Sequence, residues 1–557
     1  MSGQVRIEII GGAQKARWYV NLADFANMVK AFIGANYLYV AYAFKQSGLL
    51  LGIVGMLVIA ALTDHCCHLI VQTKNHAINH LIKKHKAETA NSRSENRKTK
   101  YNDCDADCEE ENDTSASSSP NFDNAAIQNE EIEEEYHSPG GENIHEKISQ
   151  NMSYGDIGFY CYGNVGLGIV NFFIAMTQFG FCTSYSIFIG NTIHSLFPYN
   201  KCVTDNVTNI THCEKVYIQE NGTDPSFGNV EFYSIAPDLR ILVISPILVF
   251  ILFALIRNVR YLGVVSVLAN LSILFGVVSI FAYLIYNFSK HGKKETELYN
   301  LQHFSLFFGM VAGAFEGIGL VIPIESSMVG NRHLFTWFLH GAVGVLTIIL
   351  GVFGILGYLT FGQDVQQMLN KNLPPGEFLG IFVNVGICVG IMLTYPLQIF
   401  PVIEIIERYL FLEGRIFGPP KKNQSDKDET KALIASDREP LEEDNKHELT
   451  EHMPSHIPDS VATWKRNMVR VIIVMASCGL AILLKDYFAY VGGFNGAVGS
   501  TALAFILPCL FHLKVCWHDL HPVFKAKDIL IIIFGVCAGC VSVVAVIQRI
   551  ASGETEE

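Results

Sequence analysis

The chain has 557 residues, 50% of them hydrophobic and only 17% charged, with a formal net charge of −13. A soluble protein carries about a quarter charged residues, so a soluble globule is excluded. The negative charge is concentrated in polar loops and offers nothing to nucleic acid. Apolar runs of ~20 residues recur along the chain, the length that crosses a hydrocarbon core. The expected fold class is an all-α polytopic membrane protein whose partner throughout is the lipid bilayer.

Residues 1–20 are polar, carry Arg6, Lys15 and Arg17, and read as a cytoplasmic N-terminal tail ahead of a membrane domain over 21–550. No cleavable signal is expected before the first span. About eleven spans follow, at 24–46, 48–72, 165–194, 236–256, 261–287, 303–326, 334–360, 378–408, 468–486, 492–513 and 528–549. Basic residues collect in alternate loops: Arg6–Arg17, Lys83–Lys100, Arg257 and Arg260, Arg332, Arg415–Lys422 with Lys465–Arg470, and Lys514–Lys527. These loops are expected to be cytoplasmic, because basic residues near span ends stay inside. The N-terminus is then cytoplasmic and the C-terminus extracellular or lumenal.

Between the second and third spans, residues 85–148 are rich in Glu, Asp, Asn and Ser, and 418–460 are similar. Neither segment can bury enough apolar surface to offset its ordering entropy, so both are expected to be disordered cytoplasmic inserts. Tyr154-Gly-Asp-Ile157 has the form of a tyrosine-based sorting signal, and Glu429-Thr-Lys-Ala-Leu433-Ile434 that of an acidic dileucine signal. Each reads either as a site for a sorting adaptor or as plain linker. Residues 195–235 fall on the opposite side and hold three glycosylation acceptor patterns, at Asn206, Asn209 and Asn221. Cys202 and Cys213 share that loop, where oxidising conditions permit a disulfide; the alternatives are two free thiols or pairing elsewhere. The other cysteines lie mostly in apolar runs, no metal-spaced pairs recur, and no metal site is expected.

The sixth span carries the strongest functional signal. Residues 303–328 read HFSLFFGMVAGAFEGIGLVIPIESSM, with Glu316 among Gly309, Gly313, Gly317 and Gly319. A charge at a span centre costs roughly 2.5–3.5 kcal/mol on insertion scales. Two readings are open. Either the glycines break the helix around a mid-membrane binding site, as in secondary transporters, or they only let neighbouring helices approach while Glu316 pairs with one of them.

Several stretches then point the same way: TQFGFCTSY at 177–185, RNVRYLGVVSVLANL at 257–271, AFEGIGLVIPIESSM at 314–328, LGYLTFGQDVQQMLNKNLP at 356–374 and TYPLQIFPVIE at 394–404. Together they resemble the amino acid/auxin permease family, closest to its proton-coupled amino acid transporter branch. The resemblance implies a LeuT-like fold, with two inverted five-span repeats plus an eleventh span and with discontinuous spans 1 and 6. A small zwitterion would sit between the two breaks. The matching positions are Ile33, Gly34, Ala35, Asn36 and Tyr37 in span 1 and Phe315, Glu316, Gly317, Ile318 and Gly319 in span 6. Thr177, Gln178 and Tyr185 in span 3 and Thr394, Tyr395 and Gln398 in span 8 are candidate walls, with interhelical hydrogen bonding as the alternative reading of each.

Span 1 departs from the family pattern. Where the family reads KGNIGTGLLGLPLA, this chain reads KAFIGANYLYVAYA from Lys30, so Asn36 and Tyr39 replace glycines and Ala41 replaces proline. A smaller or retuned pocket is expected. Proton-coupled members often have a histidine one turn before the lysine, and this chain has Asn27, which does not titrate. Glu316 is then the candidate coupling group, with H⁺ or Na⁺ as the coupling ion and no other cofactor. His65 and His68 read as a polar inner end of span 2. The expected function is secondary active transport of small neutral amino acids or related amines by alternating access. The alternative is a receptor that binds amino acid in the same pocket without moving it. No nucleophile–base spacing, HExxH or Walker sequence points to an enzyme. Glycosylation and the sorting-like patterns fit the plasma membrane or an endolysosomal membrane equally.

Overall fold

The computed structural model describes residues 21–102 (except 23, 27, 30, 31, 33 and 35), 149, 152–204, 211–216, 230–257, 262–328 (except 316), 334–374, 376–412, 415–418 and 461–553. Among these, nine helices are long and apolar enough to cross a bilayer, and Leu239–Leu255 is a shorter apolar one. The first span is helical from Tyr37 to Ser47, with further helical residues between 21 and 32. Span numbers below follow the sequence reading.

Burial sorts the spans into an inner and an outer set. In span 6, 81% of the most apolar window is buried, and in span 10, Phe488–Cys516, 83% is buried. Nearly every side chain of Tyr37–Ser47 is buried as well. In span 5 the share falls to 22% and in span 11 to 28%, with Leu268, Leu271, Leu274, Leu530 and Val541 exposed. A helix apolar all round belongs in a core, and one exposing its leucines in an apolar protein faces lipid. Spans 1, 6 and 10 therefore form the centre.

Glycines hold that centre together. A methyl group placed on Gly496 would lie 1.9 Å from the Gly309 carbonyl oxygen, and one on Gly309 2.6 Å from that of Gly493. Spans 6 and 10 thus touch backbone to backbone through glycines on both helices, the close approach that small residues permit in membranes. Around the centre, span 7 packs on spans 1, 2 and 5, span 8 on spans 3 and 5, and span 9 on spans 3 and 4.

Loop contacts define two faces. On the first, Gly48 turns the chain between spans 1 and 2 with φ 79°, and Leu49 N–H donates to the Glu297 carbonyl at 2.9 Å. Lys294 N–H reaches the Leu359 carbonyl at 3.0 Å. The same face carries a three-stranded antiparallel sheet, β1 (Tyr199–Thr204), β2 (Thr211–Val216) and β3 (Val230–Ser234), in the order β2-β1-β3. The membrane part is all-helical as expected, and this small sheet is confined to the loop, where Tyr, Val and Thr favour strands. Cys213 is disulfide-bonded, and Cys202 stands directly opposite it across the β1–β2 pair. Asn206, Asn209 and Asn221 lie outside the described residues.

The opposite face differs from expectation in two places. The second helix does not stop near residue 84 but runs from Leu49 to Asn102, into the start of the expected disordered insert. Ala, Glu, Lys and Arg from 85 to 99 are good helix formers and prolong a helix already nucleated. The third helix starts at Tyr154, capped by Ser153 and Asp156, which hydrogen-bond each other's backbone N–H groups. Tyr154 and Ile157 are both buried, and the Tyr154 hydroxyl donates to the Leu503 carbonyl at 2.8 Å. The tyrosine motif is therefore part of the packed bundle and offers no extended peptide to an adaptor. Residues 429–434 and the rest of both inserts lie outside the described residues.

Candidate functional site

Both central helices that were expected to break do so, and the breaks adjoin. In span 6 one helix ends at Ala314 and the next starts at Ile318, with Phe315 and Gly317 at the junction. Glu316, Ile33 and Ala35 lie outside the described residues, and of Ile318 only the backbone is described. In span 1 the chain leaves helix at Gly34 and re-enters at Tyr37.

Two contacts lock the breaks together. The Asn36 side-chain amide donates to the Gly313 carbonyl at 2.9 Å, meeting one of the acceptors that the end of Phe304–Ala314 leaves open. A methyl on Gly317 would lie 2.3 Å from the ring of Phe32, so the span 6 glycine is where span 1 crosses. The family's glycine at position 36 has thus become a side chain that fills the break and bonds across it. Tyr39, the other glycine replacement, fits a slot made by glycines on its neighbours: methyls on Gly492 and Gly313 would meet its ring at 2.7 Å and its hydroxyl at 3.2 Å. The span 6 glycines therefore divide by position. Gly309 and Gly313 serve packing, and Gly317 serves the break. A methyl on Gly319 meets nothing within 4 Å among the described residues, so space adjoins the start of the second half-helix.

Electrostatics follow from the helix ends. Tyr37–Ser47 and Ile318–Ser327 both begin at the breaks, and neither N-cap residue, Asn36 or Gly317, caps its helix with a side-chain hydrogen bond. Uncapped helix starts present backbone donors and the positive end of the dipole, a setting suited to a carboxylate.

The wall candidates divide. Tyr185 and Gln398 meet, Gln398 Nε2 donating to the Tyr185 hydroxyl at 3.4 Å. Thr177 donates to the Phe173 carbonyl at 2.7 Å and packs against Gly499 of span 10. Gln178 Oε1 is buried without a hydrogen-bond partner. Thr394 donates back to the Gly390 carbonyl at 2.8 Å within its own helix. Tyr395 stacks on Phe250 of span 4 at 3.6 Å and bonds Ser477 of span 9 at 3.0 Å. It makes interhelical contacts, as the alternative reading of the wall residues had it. The Tyr37 ring leaves the break to pack edge-on against Phe353 of span 7 at 5.1 Å, so only its backbone belongs to the site.

Sequence reasoning missed Asn495. It lies in the buried span 10 where a methyl on Gly180 of span 3 would strike its side chain, and its Nδ2 has no hydrogen-bond partner among the described residues. A buried amide donor left unmet beside span 3 is a polar group that packing alone does not explain. Its signal was the lone amide in the glycine-rich run VGGFNGAVGS.

Residues 21–89 and 142–548 match the family described as transmembrane amino acid transporter protein. The chain belongs to that family. The matched region includes both breaks and bears out the resemblance carried by the FEGIG and NLP stretches. This is a family of transporters, not enzymes, and the chain is an integral membrane protein. Among its relatives is the amino acid transporter AVT3B of Arabidopsis thaliana, 25% identical over 527 residues that cover 92% of this chain and 90% of that one. Vacuolar amino acid transporter 4 of Saccharomyces cerevisiae is 28% identical over 371 residues, 65% of this chain and 44% of the yeast protein. The amino acid transporter ANT1 of Arabidopsis thaliana is 22% identical over 530 residues.

Proposed function

We propose that this protein is a proton-coupled secondary transporter of small neutral amino acids or related amines, with a LeuT-like arrangement of eleven spans and a cytoplasmic N-terminus. One observation carries the reading. Two half-helices, Tyr37–Ser47 and Ile318–Ser327, begin without an N-cap side-chain bond at adjoining breaks in the buried centre of the bundle. A zwitterion's carboxylate is held by the backbone N–H groups there, and its ammonium by open carbonyls at the end of Phe304–Ala314. Asn36 already occupies the Gly313 carbonyl and Tyr39 fills the slot beside it, which favours a small solute. Glu316, between Phe315 and Gly317, is the coupling carboxylate. It takes a proton as substrate binds and releases it as the site opens to the other side, with Na⁺ as the competing coupling ion.

The membrane is that of an endolysosomal compartment or the cell surface, and the vacuolar relatives in yeast favour the first. The sheet then faces the lumen, its sequons carry glycans, and Cys213 pairs with Cys202. The test is uptake into proteoliposomes. An inward proton gradient should drive alanine or glycine above its external concentration, and Glu316→Gln should retain exchange while losing that accumulation. Binding without flux in the wild type would replace transporter with receptor. Driven uptake unchanged in Glu316→Gln would remove Glu316 from coupling.

A further inference from the structure

Span 2 and span 7 bring together three ligand-type side chains that the breaks do not use. Asp64 and His68 are four residues apart on one helix face, and His340 enters from the first turns of Phe335–Phe361, 276 residues further along the chain. One ligand atom from each lies within 4.8 Å of the others. His340 Nδ1 is 2.8 Å from Asp64 Oδ2, and the imidazole rings of His68 and His340 lie 4.4 Å apart.

The second observation is what these atoms lack. His68 Nε2 and Asp64 Oδ1 are both buried, and neither has a hydrogen-bond partner among the described residues. They face each other at 3.9 Å, beyond hydrogen-bonding reach. Two unmet polar atoms in an apolar bundle cost free energy unless something is placed between them. A tetrahedral ion with bonds of ~2.0–2.1 Å holds neighbouring ligand atoms about 3.3 Å apart. The observed gap closes to that value with a small side-chain adjustment.

We propose that Asp64, His68 and His340 bind a transition-metal dication of the zinc class between spans 2 and 7. Two imidazoles and one carboxylate suit Zn²⁺, whereas Mg²⁺ and Ca²⁺ need oxygen ligands. His340 is half exposed, so the fourth position is open to water. The bound ion fastens span 7 to span 2 beside the central helices. No metal was expected from the sequence, because spacing along the chain does not show a ligand set split between two distant helices.

The test uses full-length protein in nanodiscs, stripped with chelator and titrated with Zn²⁺ against a fluorescent zinc indicator, with bound metal counted by mass spectrometry. Wild type should hold one more tightly bound ion than the triple variant Asp64→Asn, His68→Gln, His340→Gln. His340→Gln alone, at a half-exposed position that leaves the fold intact, should weaken that ion's affinity at least tenfold. Zn²⁺ should raise the melting midpoint of the wild type and not of His340→Gln, and Mg²⁺ should not compete. Equal zinc count and affinity in wild type and both variants, or an equal rise in melting midpoint, would overturn the assignment.

Discussion

The two faces of the bundle are closed by different chemistry. On the sheet face the connections are largely amides and carbonyls. Asn191 donates to the Lys485 carbonyl at 2.6 Å, Asn370 to Thr192 and Asn384 at 3.1 Å each, and Gln367 to the Asp486 carbonyl at 3.2 Å. The charged groups on this face are partly or fully exposed: Lys371 on the Asn191 side-chain oxygen at 3.1 Å, and the Lys485–Asp486 and Lys294–Asp364 pairs. On the opposite face buried ions do the same work. Lys74 meets Glu325 at 2.6 Å and Ser326 at 2.7 Å, while Ser326 donates to the Ser149 carbonyl. Glu407 receives Arg470 at 2.6 Å and Arg466 at 2.8 Å, and Arg470 also donates to the Ala254 carbonyl. Asp528, fully buried, takes His512 at 2.7 Å and Lys527 at 3.3 Å.

The difference bears on opening. A neutral hydrogen bond exchanges for one to water at a net cost of about 1 kcal/mol. A buried ion separated from its partner needs water or another counterion at once. The sheet face can therefore loosen piece by piece, whereas the opposite face must open with hydration of its charges. Lys74 and Glu325 matter most here, because Glu325 ends the half-helix Ile318–Ser327 that begins at the break. One helix of ten residues connects the break to that ion pair.

The contrast sets an order of expected damage, read as stability of the purified protein in nanodiscs. Glu407→Gln should be the most harmful, at about 3–5 kcal/mol, because it strips the counterion from Arg470, which is 3% exposed, and weakens the hold on Arg466. An unchanged melting midpoint would show that this face is wetter than described. Lys74→Met should cost about 3 kcal/mol or more, and Glu325→Gln added to it should restore much of the loss by removing the stranded charge. A double variant as damaged as the single would mean that packing, not charge, closes this point. Asn370→Ala on the sheet face should cost about 1–3 kcal/mol, since it unpairs two neighbours without exposing an ion. Loss as large as for Glu407→Gln would erase the distinction between the faces. Lys294→Ala, which removes an exposed pair with Asp364, should cost less than about 1 kcal/mol.

The spans, the break in span 6 and the family were legible because each is local: apolar length, glycine spacing, short motifs. Charge pairing was not. Arg466 and Arg470 counted as loop markers of orientation, yet they sit in the first turns of Thr463–Leu483 and reach a carboxylate 59 and 63 residues away in sequence. Lys74 lies beyond the expected end of span 2 at residue 72, but helix continues past it and carries it to Glu325 across 251 residues. Among the site residues, the backbone positions at Gly34, Asn36, Phe315 and Gly317 were readable from the family pattern. The partner of Asn36 was not, because the residue that replaced glycine bonds a carbonyl on another helix.

The claim that substrate sits between the breaks is tested most directly at Gly319, where an added methyl meets nothing among the described residues, with Gly317→Ala as the contrasting variant that collides with Phe32. Binding and uptake of radiolabelled alanine should be measured alongside the melting midpoint. The account predicts that Gly319→Val keeps the wild-type midpoint while binding and uptake fall at least tenfold, and that Gly317→Ala lowers the midpoint itself. Wild-type alanine binding in a well-folded Gly319→Val protein would contradict the account and place the substrate elsewhere.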